Sequence, residues 1–224
     1  MSGMDISWCN IWYSYGGKFL NNDGTAAFND EAGVDSLNYI VNLYRKYQVA
    51  PQGAEAITAM EGVRHFSTGL SAMYIWNPTV IGWIQDAHPS FQWETALLPS
   101  HNGYIGSITA FVWLAMSAKS PNKKAAWEFI KYMTGPVVDY TYSSVMGFVP
   151  NHIQNLRKPV TDPKYVPFRI MAPLPGVKNI PVRSDVPKLL DFLLEAFQRA
   201  ITGKVTPKKA LDEAAIKWNK SIME

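Results

Sequence analysis

The chain has 224 residues, of which 47% are hydrophobic and 17% charged, and its formal net charge at pH 7 is +3. This is enough apolar sequence for a sizeable core in one large domain or two small ones, which argues against a disordered chain. The lysines are spread over predicted helix starts and surfaces instead of alternating with aromatic residues in a block, which argues against nucleic-acid binding. Cys9 is the only cysteine, so an intrachain disulfide and a cysteine-rich zinc site are excluded.

The sequence shows no membrane-spanning segment. No apolar run reaches the roughly 18 residues that a transmembrane helix needs. The first residues, MSGMDISWCN, lack a basic segment followed by a long apolar stretch. We therefore expect no signal peptide in the chain as given and no direct membrane insertion.

The first predicted helix lies between residues 29 and 51. Asn29 is a candidate N-cap that two acidic residues follow, and Pro51 ends the pattern. Apolar residues recur between them at helical spacing, at Val34, Leu37, Val41 and Tyr44.

Three candidate β-strands follow this helix, at 71–76, 91–96 and 105–116. The last of them is rich in β-branched and aromatic residues. A short helix is predicted after Pro78, with Trp83 packed inside the protein.

Helices dominate the C-terminal half. Ser120-Pro121 predicts the start of one helix and Gly135-Pro136 its end, and a second helix runs from Pro136 to about Met146. Two more helices begin at Ser184 and at Thr206-Pro207.

A proline-rich segment separates these helices. Seven prolines between residues 159 and 187 predict an irregular connection over the surface. Because strands alternate with helices along the chain, the elements together predict an α/β layer fold.

Motifs for catalysis are absent from the sequence. It contains no nucleophile elbow, no phosphate-binding loop, no dinucleotide fingerprint and no HExxH zinc motif. The four histidines share no metal-ligand spacing, and the helix dipole explains the carboxylate pairs Asp30/Glu31 and Asp212/Glu213. We therefore expect neither an enzyme nor a cofactor or metal site.

Aromatic residues with small polar neighbours cluster at three places, around residues 8–15, 74–83 and 104–109. A flat ring covers the C–H face of a sugar while amides and hydroxyls bind its hydroxyl groups, so this pattern suits a carbohydrate ligand. Core burial is the competing interpretation for each tryptophan, and we expect it for Trp113, Trp127 and Trp218.

Five stretches, in this order, resemble the second half of the extracellular solute-binding proteins of sugar ABC transporters, the maltose-binding-protein-like group. They are GGKFLNNDGTAAFND, HFSTGLSAMYIWNP, the run from LLPS to WEFIKYM, MGFVPNH, and GKVTPKKALDEAAIKWNKSI. The resemblance runs from about Tyr15 to the end of the chain.

The resemblance implies a type II periplasmic-binding-protein fold with two α/β lobes, a ligand cleft between them and hinge closure on binding. Members of this group are substantially longer than this chain. It would therefore be mainly the helix-rich C-terminal lobe with a small mixed sheet, at residues 1–114 and 160–224. Residues 115–159 would be an excursion that packs with the missing N-terminal lobe.

The ligand-binding residues are carried over from the resemblance. Ala72 and Met73 fall on the group's cleft motif, followed by Trp76 and Asn77, and Trp76 is expected to face the cleft. Gly106 matches one glycine of a Gly-Gly turn, which makes Ser107 a candidate contact. The other candidates are Trp8, Trp12, Tyr104 and Arg183; Arg183 would bind vicinal hydroxyls or tie down the proline-rich segment.

The function that the resemblance implies is capture of a carbohydrate and delivery to ABC transporter permease subunits. The full-length protein would be periplasmic, or extracellular and lipid-anchored. An exposed interlobe surface would favour a dimer of the isolated chain. The alternatives are a binding protein for glycerol phosphate, a polyamine or iron, and a small α/β enzyme.

Overall fold

The computed structural model describes residues 3–109 and 113–223, with side chains from residue 7 onward. The chain forms two compact units. Unit 1 comprises Met1–Trp76, Leu98–Thr109 and Leu174–Glu224, and unit 2 comprises Asn77–Leu97 and Ala110–Pro173. Unit 2 therefore contains the predicted excursion 115–159, the sequence that flanks it at 110–114 and 160–173, and the separate segment 77–97.

Helices form most of the regular structure. In chain order the elements are α1 (Gly3–Ser14), α2 (Glu31–Arg45), a 3₁₀ turn (Ala54–Ala56), α3 (Ala59–Ser67), α4 (Val80–Asp86), β1 (Ser107–Thr109), α5 (Lys123–Met133), α6 (Pro136–Met146), α7 (Ile153–Leu156), a 3₁₀ turn (Pro163–Tyr165), α8 (Val166–Met171), β2 (Val177–Asn179), α9 (Val186–Ile201) and α10 (Pro207–Ser221).

The sheet within the described residues is small. Strands β1 and β2 pair in parallel, with Ser107 opposite Val177 and Thr109 opposite Asn179. The mixed sheet that the sequence predicts is thus a parallel pair here. Strand β1 lies inside the predicted strand 105–116, of which residues 110–112 fall outside the described residues.

The predicted strands at 71–76 and 91–96 are wrong. Within the described residues neither segment forms a strand, although both have the composition of one. A strand is stable only where a neighbour accepts and donates its backbone hydrogen bonds, and β-branched composition does not supply that neighbour.

Aromatic residues form the core of unit 1. The Trp8 ring stacks on the Trp12 ring with centroids 5.3 Å apart, and Phe197 of α9 stacks on Trp8 at 6.0 Å. Trp218 of α10 is fully buried, as predicted, and its Nε1 donates a 2.9 Å hydrogen bond to the Gly24 carbonyl. Because full burial of a large apolar side chain contributes about 1.5–3 kcal/mol, this cluster holds α1, α9 and α10 together.

The helix starts follow the predicted capping chemistry within one or two residues. Asp30, not Asn29, caps α2, because its Oδ1 accepts a 2.8 Å hydrogen bond from the Gly33 amide. Asn29 instead donates to Asp212 Oδ1. Thr206 caps α10 as predicted.

Prolines start helices in the segment predicted to be irregular. Asp162 accepts a hydrogen bond from the Lys164 amide and Pro163 begins the 3₁₀ turn, with Pro167 in the first turn of α8. Proline suits these positions because the first amides of a helix have no partner within it. The irregular connection is therefore partly helical.

Unit 2 leaves much of its apolar surface exposed. Helix α5 has no buried residue, and Phe129 on this helix is 57% exposed. Trp113 and Trp127 were expected in the core but are 72% and 53% exposed, so that prediction is wrong. Trp83 on α4 is 42% exposed, so the prediction that it packs inside is wrong as well. The apolar neighbours of these three tryptophans in sequence therefore did not predict their burial.

Candidate functional site

A polar seam joins α1 to β1 in unit 1. The Asn10 Oδ1 accepts two hydrogen bonds of 2.9 Å, one from the Ser107 hydroxyl and one from the Ile108 amide. One turn further along α1, the Ser14 Oγ accepts a 2.9 Å hydrogen bond from the Gly106 amide. Asn10 and Ser14 are both buried, so the seam fixes the position of residues 106–108.

Gly106 is required by the close approach of this loop to α1. A Cβ at this position would lie 2.1 Å from the Tyr13 carbonyl carbon. Its amide already donates to Ser14, so the backbone of Gly106 holds the loop in place rather than offering a free donor to a ligand.

Ser107 keeps part of its hydrogen-bonding capacity. A serine hydroxyl has one proton and two lone pairs, and the acceptors of the proton are Asn10 Oδ1 at 2.9 Å and the Ile108 carbonyl at 3.2 Å. The side chain is half-buried, so a lone pair is available to accept a hydrogen bond from a hydroxyl group of a ligand.

Tyr104 lies at the base of a tight turn before this seam. His101 and Tyr104 exchange backbone hydrogen bonds of 3.0 and 2.9 Å around Asn102 and Gly103, both of which have positive φ. The His101 ring stacks on the Tyr15 ring at the end of α1, with centroids 3.8 Å apart. Tyr104 itself is half-buried, so its ring retains exposed surface.

Trp8 and Trp12 lie on the same helix but face the core. They are 1% and 0% exposed, and Trp8 Nε1 donates to the Ser36 hydroxyl. Gly17 packs against the Trp12 ring, because a Cβ at Gly17 would lie 1.9 Å from the indole Nε1. Neither indole has a face free for a ligand, so we leave both out of the proposed site.

Trp76 lies in the segment that follows α3, away from the seam in sequence. Its ring is half-buried and stacks on Tyr74, with centroids 5.9 Å apart and ring planes at 11°. Burial raises the pKa of the Tyr74 hydroxyl well above its usual range. Asn77 is the first residue of unit 2, and its Oδ1 accepts hydrogen bonds from the amide and hydroxyl of Thr79.

Arg183 is held by its own chain. Its Nε and Nη2 donate hydrogen bonds of 2.8 and 2.7 Å to the two carboxylate oxygens of Asp185, the N-cap of α9. These bonds raise the pKa of Arg183 and lower that of Asp185. The guanidinium also lies 5.6 Å from the Trp218 ring centroid. Arg183 thus contacts the start of α9 and an aromatic ring of α10.

The structure thus brings Gly106 and Ser107 together with α1, and places Tyr104 in the adjoining turn. Sequence reasoning missed Asn10 and Ser14, which create this arrangement. Their signal was present as two small polar residues four apart, next to the aromatic residues of this helix. It also missed the Tyr15–His101 stack, which nothing local in the sequence indicates.

Two further properties of the described residues bear on the site. No group of three or more His, Cys, Asp or Glu side chains among them is placed to hold a metal ion. No helix in this part of the chain has the length and apolar character needed to cross a membrane.

Comparison with known families decides the class of protein. The sequence model of a family described as bacterial extracellular solute-binding protein matches residues 4–156. The chain belongs to this family. The extracellular solute-binding proteins are the group that the five ordered stretches resemble, so this prediction is confirmed.

Individual relatives agree with the family. A protein of Brucella abortus (strain 2308), named only as a binding protein, is 22% identical over 216 residues, which is 95% of this chain and 52% of the relative. A probable amino-acid ABC transporter periplasmic-binding protein of Sinorhizobium fredii (strain NBRC 101917 / NGR234) is 23% identical over 93% of this chain and 48% of the relative. The chain spans about half the length of these relatives.

A solved structure supports the fold. The crystal structure of an ABC transporter solute-binding protein from Thermotoga lettingae, bound with alpha-D-tagatose, has a TM-score of 0.80 and 25% sequence identity. The alignment covers 98% of this chain and 58% of the Thermotoga lettingae chain. The solute-binding protein thus has the predicted type II periplasmic-binding-protein fold, helix-rich with a small sheet.

Proposed function

We propose that this chain is part of the solute-binding component of an ABC importer, which captures a carbohydrate and delivers it to the permease subunits. The family match over residues 4–156 is the observation that carries this proposal. Such a protein acts by binding and hinge closure and needs no catalytic group. The longer protein would work in the periplasm, or outside the cell on a lipid anchor.

A carbohydrate is favoured by the chemistry of the candidate residues. Trp76 and Tyr104 offer partly exposed rings, and Ser107 offers a hydroxyl lone pair. All three are uncharged, as suits a neutral polyhydroxylated ligand. The Thermotoga lettingae protein, which is described as bound with alpha-D-tagatose, supports the same class.

An amino acid is the second candidate, because the Sinorhizobium fredii relative is named for amino acids. Such a ligand needs partners for an ammonium and a carboxylate group. Arg183 is the one cation among the predicted ligand residues, and Asp185 already pairs with two of its nitrogens. This pairing favours a sugar over an amino acid. It also weakens the glycerol phosphate alternative, which needs a free basic group.

The lobe assignment belongs to the same proposal. Residues 115–159 would pack with a lobe formed by the rest of the longer protein, and the cleft would lie between that lobe and this one. The packing of α5 supports this assignment, because a helix with an apolar stripe and no buried residue lacks part of its packing surface.

The test is a titration of this chain with candidate ligands, in which binding is measured from changes in NMR chemical shifts. D-tagatose and maltose are compared with glutamate and lysine at millimolar concentration. We expect weak, saturable shifts with a sugar and none with the amino acids, because one wall of a cleft binds weakly. Saturable binding of an amino acid without sugar binding would overturn the carbohydrate assignment, and turnover of a glycoside or ester would overturn the transport role.

A further inference from the structure

The Trp76 ring has no regular secondary structure to hold it. The segment 71–76 forms no strand, and the indole is only half-buried. The ring would therefore sample several rotamers if backbone geometry alone restrained it. Its parallel stack on Tyr74, at 5.9 Å and 11°, is the contact that restrains it.

Tyr74 is itself fixed at two points. Its hydroxyl donates a 3.1 Å hydrogen bond to the Ala59 carbonyl in the first turn of α3. Its ring packs closely against Gly62, where a Cβ would come within 2.5 Å of the tyrosine Cε2. Only glycine leaves room for the ring at this distance, so the absence of a side chain at Gly62 lets Tyr74 pack against α3.

Helix α3 provides a firm base for this contact. Thr58 and Glu61 form a capping box, in which each side chain bonds the backbone amide of the other. On the inner face of the helix, Val63 and Phe66 are buried. A chain of contacts thus runs from α3 through Gly62 and Tyr74 to the Trp76 ring.

We propose that Tyr74, packed against Gly62, is a positioning residue that holds the Trp76 ring in the orientation in which it stacks on the ligand. The proposal rests on the proposed function in that it takes Trp76 as a ligand contact. Tyr74 contributes by preorganisation: a ring already fixed in place loses less conformational freedom when the ligand binds.

The experiment observes the Trp76 ring directly. The protein is labelled with 5-fluorotryptophan, and the Trp76 signal is assigned in the ¹⁹F NMR spectrum as the one lost in Trp76→Phe. Tyr74→Phe removes the hydrogen bond from the tyrosine hydroxyl to the Ala59 carbonyl. Gly62→Ala places a methyl group where the Tyr74 ring lies, and Tyr74→Ala removes the ring that stacks on Trp76. Tyr47→Ala, at an exposed tyrosine of unit 1, is the control.

We expect the Trp76 signal to move or broaden in Tyr74→Ala and Gly62→Ala while the signal of buried Trp218 stays in place, which also shows that the variants fold. Tyr74→Phe should give a smaller change. D-tagatose affinity should fall about 2- to 10-fold in Tyr74→Ala, the range expected for loss of one aromatic pair. Tyr47→Ala should change neither the signal nor the affinity.

Two results would overturn the proposal: an unmoved Trp76 signal in Tyr74→Ala, or a moved signal with unchanged sugar affinity. If the signal moves but the unsubstituted protein binds no sugar, the positioning of the ring by Tyr74 stands and the carbohydrate function fails. The fluorine signal and the titration therefore separate the two claims.

Discussion

The Oδ1 of Asn10 receives both the hydroxyl proton of Ser107 and the amide proton of Ile108, each at 2.9 Å. One buried side-chain oxygen thus joins α1 to Ser107 and Ile108, the first two residues of β1. Asn10→Ala would leave both donors without this acceptor. We expect a loss of about 1–3 kcal/mol in the free energy of unfolding, measured by urea denaturation.

Asn38→Ala is the matched control for Asn10→Ala, since Asn38 is exposed on α2. It should change stability by less than about 0.5 kcal/mol. Equal stability losses in the two variants would show that the seam does not hold the loop.

Trp76 and Trp83 should differ in ligand binding. Trp76→Ala should weaken sugar binding by about 1–3 kcal/mol through lost ring contact and lost apolar area. Trp83→Ala should leave the affinity unchanged, and because Trp83 is 42% exposed it should destabilise less than Trp218→Ala does. Calorimetric titration and thermal melts measure the two effects. A greater loss of affinity in Trp83→Ala would reverse the assignment.

Asp139 in unit 2 should make the loop after α6 sensitive to acid. Burial by itself raises the pKa of this carboxyl, but hydrogen bonds from the amides of Asn151 and His152 and from the side chains of Asn151 and Asn155 outweigh it and lower the pKa. A lowered pKa in the folded state means that the ionised form stabilises the fold. This stabilisation is complete above the ordinary carboxyl pKa of about 3.9 and is lost as the pH falls through the lowered value.

The measurement for Asp139 is hydrogen exchange at the amides of Asn151 and His152, combined with urea denaturation at several pH values. Asp139→Asn should lose about 1–3 kcal/mol at neutral pH and flatten the acid dependence. Asp86→Asn, at an exposed carboxylate on α4, serves as the control. Unchanged amide protection in Asp139→Asn would contradict the assignment.

Arg183 should act on stability and not on affinity. Arg183→Gln removes the paired hydrogen bonds to Asp185 at the start of α9. We expect a lower melting temperature at low salt, a smaller difference at high salt because the pair is solvent-exposed, and unchanged sugar binding. A loss of sugar affinity at unchanged melting temperature would make Arg183 a ligand residue after all.

The exposed apolar face of unit 2 should make the isolated chain self-associate. Phe129 is 57% and Val145 78% exposed, and exposed apolar side chains of this size favour association in water. Light scattering should show a concentration-dependent dimer that Phe129→Lys with Val145→Lys disrupts. Val49→Lys, at an exposed valine of unit 1, is the control. A monomer at all concentrations would contradict this prediction.

Local chemistry was sufficient to predict helices α2, α4, α5, α6, α9 and α10, whereas α3, α7 and α8 were not predicted. Thr206-Pro207 caps and starts α10, and Pro136 starts α6 where the sequence places it, because capping and proline geometry act within one turn. The order of five short stretches was sufficient for the family. These properties depend on neighbours along the chain, which the sequence shows directly.

Burial and pairing were decided only by tertiary structure. Trp12 and Trp127 have similar aromatic and apolar neighbours in sequence, yet Trp12 is fully buried between the Trp8 and Phe19 rings whereas Trp127 lies on a helix without buried residues. The strand predicted at 71–76 does not form, and no strand in the described part of the chain pairs with this segment. Asn10 gained its role from residues almost a hundred positions away. A side chain's environment is set by elements distant in sequence, so composition alone could not assign these residues to core, surface or site.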